Sequence, residues 1–255
     1  MNALTRLLTA VANASRRPAL RRRLGRMVVE EIEGVSLVVL PQVFNPRVFR
    51  SGTLLARTVA ALERPPASAA RALDLGTGSG VGAIFAARRG YRVVAVDVNP
   101  HAVRCARANA LLQGLEERIE VRQGDLFAPV AGERFDLVLF NPPFFRGAPG
   151  DDLDAAWRSP DAIERFVAGL PAVLAPGGRG LVLLSTDGGA DRRLLARTGS
   201  GAGLLVEPLL SRDLGNEVLT VFAARLEPDA PPAAAERPPR PASVAALPQA
   251  APRPG

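Results

Sequence analysis

The stretch Leu73-Asp74-Leu75-Gly76-Thr77-Gly78-Ser79-Gly80 joins an apolar strand-like run, 71 to 75, to a helical pattern covering about 80 to 89. Open α/β sheets receive their ligands at such a strand-to-helix turn, and glycines there let the backbone approach closely. The alternation continues downstream. Strand-like runs at 92 to 97, 119 to 123, 135 to 141 and 180 to 185 are separated by amphipathic helical stretches at 101 to 113 and 161 to 174, with another near 190 to 197. Strand and helix alternating in this way predict βαβ crossovers and a parallel sheet with helices on both faces. Two last runs, 204 to 210 and 217 to 225, are joined around Gly215-Asn216 and should pair antiparallel. The expectation is an α/β fold with a mostly parallel, seven-stranded sheet that ends in an antiparallel hairpin.

Upstream, residues 27 to 40 read as two short strands around Glu33-Gly34, Pro41 and Pro46 frame a loop, and a helix is expected from Gly52 to Glu63. Before them, Leu4, Leu7, Leu8 and Val11 fall at helical spacing, followed by Pro18 and an Arg-rich turn. From Glu227 to Gly255 the chain is rich in Pro and Ala with few large apolar side chains, a composition too poor in burial to offset its ordering entropy. The organisation expected is a basic helical arm (1–26), a domain (27–226) made of a strand pair and loop (27–50) and a Rossmann-like core (51–226), and a disordered tail (227–255).

The 255 residues, 47% of them apolar, suit one sizeable domain plus tails. The longest apolar runs, such as Leu181 to Leu184, are far too short to span a bilayer, so no membrane is expected. One cysteine, Cys105, and one histidine, His101, can form neither an internal disulfide nor the usual zinc ligand sets. No metal and a reducing, cytoplasmic location follow as expectations, with Cys105 a helix filler and His101 exposed near that helix's start.

The formal charge of +7 is unevenly spread: the first 26 residues hold seven arginines and no acid, whereas from Met27 to Leu226 there are 22 arginines against 22 acids. The basic character belongs to an arm on a neutral domain. Lysine is absent from the whole chain, which points to coding bias behind some of the arginines.

Gly78, Gly80 and Ala83 formally satisfy a dinucleotide fingerprint. Asp74 argues against that reading: a carboxylate facing the ligand there would repel a pyrophosphate and attract the ammonium and sulfonium charges of S-adenosylmethionine. Asp97 closes the next strand about 20 residues on, where an acid can accept from ribose hydroxyls. Asp125, in Gln123-Gly124-Asp125-Leu126, is placed for an adenine amine, with Leu126 against the ring.

At the fourth strand end stands Phe140-Asn141-Pro142-Pro143-Phe144. A nitrogen with a delocalised lone pair is a poor nucleophile until acceptors hold its N–H groups and aim that lone pair. The Asn141 side-chain oxygen and the Pro142 carbonyl can be those acceptors. Pro142 and Pro143 fix the backbone, and Phe144 can stack on a flat amide or base.

These motifs resemble class I methyltransferases, and among them the small-methyltransferase group that includes HemK-like release-factor glutamine methyltransferases and several RNA and DNA amino-methyltransferases. The resemblance covers roughly Val43 to Leu226. It implies a Rossmann-like fold, S-adenosyl-L-methionine as cofactor, cofactor contacts at Asp74, Gly76, Gly78, Gly80, Asp97, Asp125 and Leu126, and substrate positioning at Asn141, Pro142, Pro143 and Phe144. Bacterial release-factor enzymes usually carry a longer all-helical N-terminal domain, where only the short arm and strand pair are expected in this sequence. A compact branch without it is closer, since its Val-Tyr-x-Pro segment before a Ser/Thr resembles Val43-Phe44-Asn45-Pro46 leading to Ser51. Arg47, Val48, Phe49 and Arg50 stand where that branch carries an acidic pair.

The function expected is methyl transfer to a planar nitrogen, first of all a protein glutamine amide with a translation release factor as the candidate partner. The alternatives are an adenine or guanine amine of RNA or DNA, for which the basic arm would supply phosphate contacts, a small-molecule amine, and a non-catalytic adapter of the same fold.

Overall fold

The computed structural model describes residues 25–65, 69–150, 154–186, 189–190, 194, 203–215 and 217–227. The expected basic arm and tail lie almost wholly outside these residues, as does most of the helix expected near 190 to 197, of which Ala190 and Leu194 are described and are helical and buried.

The first described elements are an antiparallel pair, β1 (Val28–Ile32) and β2 (Val35–Val39), joined by Glu33 and Gly34. Both turn residues have positive φ, the geometry that matches the twist of a two-residue hairpin. Helix α1 (Ser51–Ala60) follows, then β3 (Arg71–Leu75), α2 (Val81–Arg89), β4 (Arg92–Asp97), α3 (Pro100–Leu112), β5 (Ile119–Gln123) and β6 (Phe135–Phe140). Two short strands, β7 (Phe145–Arg146) and β8 (Arg158–Ser159), precede α4 (Ala162–Val173), β9 (Leu174–Ser185), β10 (Leu204–Asp213) and β11 (Val218–Leu226).

Seven strands form one sheet in the order β10-β11-β9-β6-β3-β4-β5. The pairs from β9 to β5 are parallel, and β11 pairs antiparallel with both β9 and β10. This is the expected mostly parallel sheet ending in an antiparallel hairpin. The chain winds outward from β3 through β4 to β5 and then crosses back to β6, so the strand order reverses between β3 and β6. A crevice opens beyond the carboxyl ends of the strands at such a reversal.

Alternation along the strands divides the interior into two layers. Ala72, Val93, Ala95, Leu137, Leu139, Leu181 and Leu183 face α1, α2 and the β1–β2 hairpin. Leu73, Leu75, Val94, Val96, Val138, Phe140, Val182 and Leu184 face α4. The fifteen side chains in these two rows are all buried, none more than 5% exposed, which is why these runs read as nearly continuously apolar in the sequence.

Two details differ from expectation. Strand β9 starts at Leu174 and not at 180, because Phe135 pairs with Leu174 before the register shifts to pair Leu137 with Arg179. The parallel β7–β8 pair, Phe145 with Arg158 and Arg146 with Ser159, was not foreseen. Two residues each are too few to show a period.

Candidate active site

A cavity of about 300 Å³ opens at the strand-order reversal, a size suited to a small ligand. Each of four parallel strands contributes its outgoing loop: Gly76 and Gly78 after β3, Asp97 to Asn99 from β4, Gly124 to Leu126 after β5, and Phe140, Asn141 and Pro143 from β6. Thus Gly76, Gly78, Asp97, Asp125, Leu126, Asn141 and Pro143 are brought together on one wall system. Asp74, Gly80, Pro142 and Phe144 do not line it.

Asp74 was expected to face the ligand, and its carboxylate instead lies beneath the glycine loop. It is 4% exposed, and its Oδ2 accepts from the Thr77 hydroxyl at 2.6 Å and from the Ala83 amide at 2.9 Å. The Ala83 amide is one of the donors left free at a helix start, which is why an acid settles there. Gly82 makes room for it, since a Cβ at that position would come within 2.7 Å of Asp74 Oδ1. Burial pushes the Asp74 carboxyl up to about 6 against the opposing hydrogen bonds from Thr77 and Ala83, with nearby Asp97 adding to the rise.

Gly80 serves packing. It starts α2 at φ 82°, and a Cβ there would meet the Ala106 backbone of α3 at 3.2 Å. Pro142 is buried in the chain turn, and Phe144 packs against both core layers.

Asp97 holds two loops at once. Its Oδ2 accepts from the Gly78 amide at 2.8 Å and its Oδ1 from the Asn99 amide at 2.9 Å. Burial raises its carboxyl above the ordinary range, opposed by the backbone amides of Asn99, Gly78 and Val98. A carboxylate can accept about four hydrogen bonds, so capacity remains for a ligand's hydroxyls. Asp125 is half exposed and accepts from Arg165 at 2.7 Å, an α4 residue at the cavity wall.

Asn141 is fixed from an unexpected side. Its Nδ2 donates to Ser51 Oγ at 3.2 Å, while its Oδ1 is buried and has no hydrogen-bond partner. Ser51 opens α1 and is 1% exposed. It is carried there by the 43–51 segment. Asn45 is buried, donates to Glu30 at 2.9 Å, and accepts from the amides of Arg47 and Val48. Pro46 presses on Gly52, where a Cβ would lie 2.5 Å from Pro46 Cβ.

Sequence reasoning missed several residues of this rim. Gln42, Phe44, Arg158 and Arg165 all line the cavity. Phe44 stacks on Phe49 with centroids 4.9 Å apart, and Trp157 packs edge-on against Phe49 at 5.0 Å. Gln42 and Leu126 on the cavity wall, and Arg50 just before Ser51, are three of the four described non-glycine residues with positive φ, the strained backbone that gathers at functional sites. Only the resemblance of Val43-Phe44-Asn45-Pro46 hinted at this rim.

Glycines without side chains at the wall, with desolvated carboxylates beside and beneath them, fit a cationic ligand that carries a ribose. Comparison with known proteins agrees with that fit. Residues 34–200 match the methyltransferase small domain model. The chain belongs to the methyltransferase small domain family. It is an S-adenosylmethionine-dependent methyltransferase.

Among relatives of this small-domain methyltransferase, a release factor glutamine methyltransferase of Cereibacter sphaeroides is 35% identical over 210 residues, 73% of this chain and 70% of that protein. A tRNA1(Val) (adenine(37)-N6)-methyltransferase of Porphyromonas gingivalis is 34% identical over 137 residues, 49% of this chain and 54% of that protein. The methyltransferase thus spans little more than half the length of some relatives. A solved SAM-dependent methyltransferase from Agrobacterium tumefaciens shares the fold with TM-score 0.53 and 22% identity, over 80% of this chain and 71% of that one. Among the described residues no helix is long and apolar enough to cross a membrane, and no cluster of His, Cys, Asp or Glu could hold a metal ion.

Proposed function

We propose that this enzyme methylates the side-chain amide nitrogen of glutamine in a protein, with residues 27–226 as its catalytic unit and a translation release factor as the candidate substrate. The observation that carries the reading is the buried Asn141 Oδ1 left without a partner at the cavity wall. Buried polar atoms are almost always paired, and this one is free to accept an N–H from an incoming amide.

Gly76, Gly78 and Asp97, with Asp125 and Leu126 at the far end, are the candidate holders of S-adenosylmethionine. When bound, that cofactor supplies an electrophilic methyl group on a sulfonium. The chain's own contribution is orientation. Asn141 Oδ1 takes one N–H of the acceptor amide, which orients the nitrogen lone pair for transfer; Pro142, expected from the sequence to offer a second acceptor, does not line the cavity. Ser51 holds the Asn141 side chain so that oxygen and not nitrogen is offered. Phe44 and Pro143 bound the slot and limit it to a flat group. The acceptor nitrogen becomes acidic as it gains the methyl group, so no strong base is required of the chain.

A glutamine methyltransferase as a relative over 70% of its own length supports the protein substrate. The seven arginines of residues 1 to 26, together with a tRNA adenine methyltransferase among the relatives, favour an RNA amine as the second reading. Incubating the enzyme with radiolabelled S-adenosylmethionine and a lysate of its host separates them. Label resistant to nuclease and lost to protease supports the glutamine reading; the reverse sensitivity overturns it in favour of RNA.

A further inference from the structure

A groove outside the cavity runs along α1, between that helix and the β10–β11 hairpin. It consists of two adjoining hollows of about 310 and 460 Å³ that share Leu54, Arg57 and Arg212. The hollow nearer the N-terminus of α1 is walled by Arg47, Arg50, Arg57 and Arg212 and by no acid. Arg57 donates to Glu33 at 2.6 Å and Arg47 lies 3.9 Å from Glu30. Arg50 and Arg212 are exposed and have no carboxylate partner among the described residues. Beyond the shared Arg57 and Arg212 the farther hollow is mainly apolar, with Leu62, Leu209 and Leu210 on its walls. Leu209 and Leu210 are 48% and 43% exposed, a large apolar surface to leave in water.

The basic end is tied to the active site through the chain, because Arg50 immediately precedes the serine that holds Asn141. From Arg50 to Leu62 the helix and its first following turn extend about 18 Å at 1.5 Å per residue. That length matches about five or six residues of extended peptide.

We infer that this groove receives an extended segment of the acceptor protein, with acidic side chains next to the methylated residue and apolar ones beyond them. The inference rests on the protein-substrate reading. Charge favours an acid at the arginine end, and Leu209 and Leu210 favour apolar side chains at the other. A single-stranded nucleic acid would be expected to find aromatic platforms, and the residues lining this groove include none.

The test uses fluorescein-labelled peptides of roughly ten residues, the length the groove spans with a short overhang at each end. One carries a glutamine followed by aspartates and then leucines, and the other has serines in place of the aspartates. Binding to the full chain is read by anisotropy, with and without added salt, for the native protein and for Arg212→Glu and Arg50→Glu. The expected result is that the acidic peptide binds about tenfold more tightly than the neutral one, that salt erases the difference, and that either substitution reduces it. Equal binding of the two peptides by the native protein overturns the inference, whether or not the variants fold. Tighter binding of a single-stranded RNA of similar length, weakened by the same substitutions, also overturns it. Because the readout is binding, it stands apart from turnover: failure of the glutamine reading would appear as bound peptide that is never methylated.

Discussion

The amide nitrogen of Asn141 donates to the hydroxyl of Ser51 across 3.2 Å, joining residues ninety positions apart. The bond decides which end of the Asn141 amide reaches an acceptor. Removing the asparagine oxygen by Asn141→Ala is expected to leave cofactor binding intact and to lower kcat by about 10²-fold or more, the usual loss for a positioned hydrogen-bonding group. Ser51→Ala should lower kcat by a smaller factor, and Ser51→Thr should restore much of it. Steady-state kinetics beside calorimetric titration with S-adenosylmethionine checks all three; normal turnover in Asn141→Ala would remove this residue from the mechanism.

Asp74 gives the enzyme a defined pH response. Its carboxyl titrates at about 6 in the folded protein against an ordinary value of 3.8, so the folded state keeps a proton that the unfolded chain has already released. The ligand-free protein therefore loses stability as pH rises from about 4 to about 6, by up to about 3 kcal/mol. A bound cation reverses the preference, because it favours the ionised carboxylate. Affinity for S-adenosylmethionine is expected to rise with pH through about 6, and Asp74→Asn should remove that part of the rise. Titrations across this pH range would show a flat profile if Asp74 is not linked to binding.

Asp97 pins the amides of Gly78 and Asn99 simultaneously. Its replacement by alanine frees both loops and removes a carboxylate from the cavity, and should weaken cofactor binding by about 1–3 kcal/mol. The change belongs in Kd, with kcat at saturating cofactor much less affected. Unaltered affinity would exclude Asp97 from the cofactor site.

Asn109 fastens the N-terminal hairpin to the glycine loop. The side chain is fully buried, accepts from the Val38 amide at 2.8 Å, and donates to the carbonyls of Val38 at 2.6 Å and Ser79 at 2.8 Å. Asn109→Ala leaves these buried groups unpaired and should cost about 2–4 kcal/mol of stability. Denaturant unfolding measures it, and a loss below about 0.5 kcal/mol would mean that water replaces the amide.

The parallel sheet was legible because its central strands are sealed on both faces and so appear as largely apolar runs, separated by helix-period segments, whereas the edge strand β5 carries exposed Glu120 between Ile119 and Val121. The positions of Gly76, Gly78, Asp97, Asp125 and Asn141 were legible for a related reason: each stands at or just after a strand end, and this topology gathers strand ends at one crevice. What stayed hidden was long-range. Nothing local to Ser51 announces Asn141, and the direction in which Asp74 points depends on the α2 amides that fold over it. Asn109 resembled any polar residue on a helix, although it spans two elements 71 and 30 positions away. The aromatic rim of Phe44, Phe49 and Trp157 joins segments with no shared periodicity, so only the folded chain brings it together.

Cys105 sits in a small cluster with Val39, Val43 and Ala102, its thiol 3.2 Å from the Val38 carbonyl under the hairpin. Burial pushes that thiol up to about 11, so hardly any of it is the reactive thiolate at neutral pH. No second cysteine exists in the chain to confuse its signal. A thiol reagent can therefore modify this enzyme only while Cys105 is uncovered, as when the hairpin lifts away from α3, and the labelling rate of the native sequence reports how much of the open state is populated, with no engineered probe required.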